Sequence, residues 1–139
     1  MMNCTPFSTT PLVGLVSAPR RLATIPEVAA FLARTNASWT FTQSPQDNRL
    51  LRFLVFTGMS YRREIVPSAA VGLHLRLIEN DCVTRFAHGE INRRVSRVQS
   101  RFVRYCRSEA PTEPVVLLLY KMPGAFLVQL QWIEGMKWA

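Results

Sequence analysis

The chain has 139 residues, a 48% apolar share and a mean hydropathy of +0.07, the values of one ordinary globular domain and not of a disordered tract. Its formal charge of +8 sets 17 basic residues against 9 acidic ones, and the basic residues are arginines apart from Lys121 and Lys137. Three widely spaced cysteines, Cys4, Cys82 and Cys106, exclude a disulfide framework and a paired-thiol zinc site and favour a reducing compartment.

Residues 1–24, rich in Pro, Ser and Thr and without an acid, are predicted to be a flexible leader. Their composition resembles an organellar transit peptide, but Pro6, Pro11 and Pro19 interrupt the amphipathic helix such a peptide needs. Organellar import is therefore the minority expectation beside an intracellular location in cytoplasm or nucleus. A single domain, residues 25–139, follows. It opens with a short helix over 27–34, for which Thr24 and Glu27 form a capping box and Val28, Phe31 and Leu32 supply one apolar side.

The apolar period then changes to two. Trp39 and Phe41 alternate with Ser38, Thr40 and Thr42, which predicts a half-buried strand over 38–43, followed by a polar turn at 44–48. Residues 50–57, apolar except for Arg52, read as a central strand. Residues 61–66, carrying Arg62, Arg63 and Glu64, read as an edge strand stopped by Pro67. Residues 72–79 alternate again, with Leu73, Leu75 and Leu77 inward and His74 and Arg76 outward or towards another layer.

After a loop at 80–89, residues 90–107 form the most one-sided element of the chain. Ile91, Val95, Val98, Phe102 and Cys106 fall on one stripe at about 100° per residue. Arg93, Arg94, Arg97, Arg101, Arg104 and Arg107 are expected to project from the other side, as a ridge with no carboxylate among them. A connector at 108–114 leads to two strands, 115–121 and 126–134. The Pro-Gly between them predicts a loop wider than a two-residue turn. The longest apolar run, residues 115–120, is too short to cross a bilayer.

The predicted class is α+β: one mostly antiparallel sheet of five to six strands, a short N-terminal helix, and the long arginine helix packed on the sheet. Guanidinium binds phosphate bidentately and stacks on bases, so the expected function is non-catalytic, largely sequence-independent binding of nucleic acid, RNA favoured over DNA. Arg62, Arg63 and Arg76 are expected to extend the surface of the helix ridge. Size and composition suit a viral accessory or regulatory protein. The alternative is an interaction adaptor whose basic face meets an acidic partner protein, or a homodimer, since residues 91, 95, 98, 102 and 105 follow a short heptad pattern. An anionic membrane surface ranks last.

Chemistry has a weaker basis. His74, Glu79, Asp81, Cys82, His88 and Glu90 form the one cluster of varied reactive groups, with Cys82 and His88 as a conceivable thiol and base. No Gly-rich phosphate loop and no hydrolase or zinc-protease motif accompanies them. A solvated loop is expected there, with no catalysis, metal or cofactor.

Overall fold

The computed structural model describes residues 5–6, 20–60, 64–77 and 88–138. In chain order these form β1 (Thr5–Pro6), β2 (Arg20–Leu22), α1 (Ile25–Ala37), α2 (Trp39–Thr42), α3 (Pro45–Ser60), β3 (Ile65–Pro67), α4 (Ser68–Leu77), α5 (His88–Ser108), β4 (Val115–Met122) and β5 (Ala125–Ile133). The class is α+β as expected, but more of the chain is helical. The sheet is correspondingly slighter than the expected five to six strands, with four in its continuous ladder and β1, β2 and β3 only two or three residues long. Its continuous ladder has the order β1-β4-β5-β2, all antiparallel, and three-residue β3 pairs with the start of β5.

The first helix forms where its capping box places it. Thr24 Oγ1 accepts from the Glu27 amide at 3.4 Å, and Glu27 Oε1 accepts from the Thr24 amide at 2.8 Å. The next three helices correct the sequence reading. Residues 38–43 make a short helix, because Ser38 Oγ accepts from the Phe41 amide and caps it locally. Residues 44–57 are not a turn and a strand but the beginning of α3. Ser44 Oγ accepts from the Asp47 amide at 3.3 Å, and Pro45 occupies the first helical position. The buried residues of α3, Leu50, Leu51, Leu54, Val55 and Gly58, recur at alternating steps of one and three, a helical period with a wide apolar face. Residues 72–79 are not a strand either. Val71, Gly72, His74 and Leu75 are buried along α4, whereas Leu73 and Leu77 face outward, a helical spacing and not strand alternation.

The C-terminal hairpin is as predicted except at its turn. Met122 pairs with Ala125, so Pro123 and Gly124 alone make the connection. Gly124 has φ +70°, a conformation other residues rarely adopt, which permits the tight turn. Leu117 lies opposite Leu130 and Leu119 opposite Val128, placing these four on one face. α3 lies close over that face because Gly58 has no side chain, and a Cβ there would come within 3.2 Å of Val128 Cβ.

The long helix forms with its expected stripe buried, Ile91, Val95, Val98, Phe102 and Cys106 all being in the core. It does not simply lie on the sheet. It packs against α2, α3, α4 and the edge of β4, where the Gln99 amide donates to the Leu117 carbonyl and accepts from the Leu119 amide. Phe102 anchors this junction, with its ring 5.8 Å from Phe31 and 5.6 Å from Trp138.

Candidate functional site

Because α5 has neighbours on several sides, only part of its circumference remains for solvent. Arg93, Arg97, Ser100, Arg104 and Arg107 occupy a sector of about 80° and face outward. From Arg93 to Arg107 this stripe runs about 21 Å. Arg104 and Arg107 are exposed, with no acidic partner among the described residues. Arg93 donates to Glu90 Oε2 at 2.8 Å from the preceding turn and keeps 70% of its side chain exposed. The ridge therefore does contain a carboxylate.

Arg101 and Arg94 depart from the expected ridge, and Arg97, within it, is drawn partly to its inner flank. Arg101 lies on the flank turned towards α3, with 16% of its side chain exposed. Its Nε donates to Asp47 Oδ2 at 2.7 Å and its Nη1 to the Thr40 carbonyl at 2.8 Å. Arg97 leans to the same carboxylate, 3.7 Å from Oδ1, with half its side chain in solvent. Arg94 is buried. For Arg101 the cause is that the apolar stripe does not mark the whole buried side: α3 covers a second flank about 90° away. Arg62 and Arg63 lie outside the described residues. Arg76 is exposed, but on α4 and not on a strand beside α5.

Acidic groups elsewhere are engaged inside the molecule. Glu113 is buried and accepts from Arg34 Nε and Nη2, the Tyr105 hydroxyl and the Val115 amide. Burial and the Glu113 charge hold the Tyr105 phenol protonated well above its ordinary range. Glu27 forks to both terminal nitrogens of Arg21 at 2.7 Å, and chiefly this pairing lowers its carboxyl to about 2. Glu109, just past α5, accepts from the Trp39 and Thr40 amides and from the Thr40 hydroxyl. Burial alone would raise the Glu109 carboxyl, but the Thr40 hydroxyl and these amides outweigh it and lower it.

That cap brings Trp39, which the sequence had hidden, beside the C-terminal end of α5. Trp39 was assigned to the inner face of a strand, yet it is 68% exposed at the start of α2. Its amide is 2.8 Å from Glu109, and the next carbonyl accepts from Arg101, so it stands beside the last turns of α5 that carry Arg104 and Arg107. The only available signal was Ser38 as an N-cap.

The cluster considered for chemistry is not assembled among the described residues. His74 is buried and stacks on Phe53 at 4.4 Å, and Glu90 is paired with Arg93. Glu79, Asp81 and Cys82 lie outside the described residues, as does the His88 side chain. Among the described residues no group of three His, Cys, Asp or Glu side chains could hold a metal ion. Cys106 is a buried thiol whose pKa burial pushes up, away from the thiolate form. No described helix is long and apolar enough to cross a membrane. No family model matches the chain, and no curated protein or solved structure matches it.

Proposed function

We propose that this protein binds nucleic acid without catalysis and largely without regard to sequence, through the outer stripe of α5, with single-stranded RNA the favoured partner. The observation that carries the reading is the stripe of Arg93, Arg97, Arg104 and Arg107 over about 21 Å of a helix held rigidly by its other sides. Successive positively charged turns match a phosphate backbone and carry no base code. The exposed Trp39 ring at one end adds a surface on which a base can stack, a feature that favours unpaired strands over a closed duplex. A viral accessory or regulatory role would suit such binding.

The test is a salt series of binding to single- and double-stranded RNA and DNA of equal length, read by fluorescence anisotropy. With four phosphate contacts, log affinity for a single strand should fall with log salt at a slope of about 3. Charge reversal at Arg104→Glu and Arg107→Glu should lower affinity at least tenfold while leaving the melting temperature unchanged, since neither side chain supports the core. An absence of binding at low salt, or wild-type affinity in that double variant, removes the reading.

A further inference from the structure

Away from the arginine stripe, α3 and α4 enclose a cleft of about 590 Å³. Arg49, Arg52 and Phe53 from α3 form one wall; Leu73, His74 and Leu77 from α4 form the other. Leu73 and Leu77 are one helical turn apart and expose 51% and 67% of their surface, far more than a leucine of an isolated fold needs to show. His74 is stacked on Phe53 between the walls, so the floor is packed while the sides stay open. The cleft runs about 12 Å along α3, from Arg49 to Thr57, or a little over two turns of a helix.

We infer that the α3–α4 cleft docks an amphipathic helix of an acidic partner protein. The trough between two helices accepts the apolar ridge of a third, read at i, i+3, i+4 and i+7. Charge selects the kind of helix. Among the described residues no carboxylate lines the cleft, the chain carries +8, and the Arg52 guanidinium is held over the Phe56 ring at 5.7 Å, on the rim. Guanidinium stacked on a ring keeps its N–H edges for carboxylates. A second copy of this chain brings like charge to the same rim and is disfavoured. The inference uses a different pair of helices from the nucleic-acid reading and does not depend on it.

The experiment pans the full-length protein against a displayed library of 16-residue helical peptides whose apolar spacing is fixed and whose flanking positions are randomised. Enriched peptides should carry Glu and Asp at the flanks. Anisotropy with the strongest of them should show at least a tenfold loss in Leu73→Glu/Leu77→Glu. Arg52→Glu should reverse the flank preference towards Lys. Leu73 and Leu77 are exposed and Arg52 is half-buried at the rim, and circular dichroism checks that all three substitutions leave the fold intact. The inference is overturned by no enrichment, by basic or neutral flanks, or by binding indifferent to Leu73 and Leu77. It is equally overturned by sedimentation showing a dimer that Leu77→Glu dissociates, or by phosphatidylserine vesicles that bind through the same leucines.

Discussion

Asp47 is the carboxylate on which the inner flank of α5 depends. It is fully buried at the start of α3, where the helix dipole favours negative charge, and it faces both Arg97 and Arg101. Charges removed from water in this way are costly singly and tolerable together. Asp47→Ala should therefore destabilise the fold by about 3–5 kcal/mol in urea denaturation, because Arg101 is left in place without its partner. Adding Arg101→Met should restore much of that loss, and a double variant no more stable than Asp47→Ala would show that Asp47 acts through the α3 terminus instead. None of this pairing was visible in the sequence. A helical wheel shows which residues share a side of their own helix, but Asp47 lies 54 positions from Arg101. The same blindness applied to Arg94, whose burial depends on neighbours that no local pattern names.

Among the elements, those read correctly had two agreeing signals. The first helix had a capping box and an apolar side; the hairpin had alternation and a Pro-Gly turn; α5 had an unbroken five-residue stripe. The helices mistaken for strands had one signal each way. Residues 50–57 are β-branched and aromatic enough for a strand, yet Ser44, Pro45 and Asp47 already spell a helix start. In α4, strict leucine alternation arose from a helix with Leu75 buried and Leu73 and Leu77 outside, a placement that leaves two leucines unexplained unless something covers them. The candidate site was legible as a basic helix, but its true width required α3 to be a helix. The junction at Phe102 supports this whole helical layer. Phe102→Ala should cost about 3–5 kcal/mol of stability in chemical denaturation, and a cost below 1 kcal/mol would mean that Phe31 and Trp138 close over the gap.

For the molecule as a whole, the uneven charge is sharpened by folding. Asp47, Glu27, Glu90, Glu109 and Glu113 all engage donors within the fold; four of them pair with arginines, so the net charge of +8 is unchanged while fewer acids are left free to meet a partner. Two separated surfaces result, one of arginines along α5 and one of leucines and arginines between α3 and α4. Gln99 bears on a hazard that every such sheet faces. A bare strand margin is a template for adding further strands from other molecules, and among the described residues β1 covers β4 at Tyr120 and Lys121 alone. By giving its amide to Leu117 and Leu119, Gln99 occupies the pairing groups that a stray chain would seek. Gln99→Leu should keep a similar volume while baring those groups. The variant should form thioflavin-positive aggregates on incubation at concentrations where the parent protein stays clear. Equal clarity in both would mean that packing of α5 alone keeps strangers from the margin.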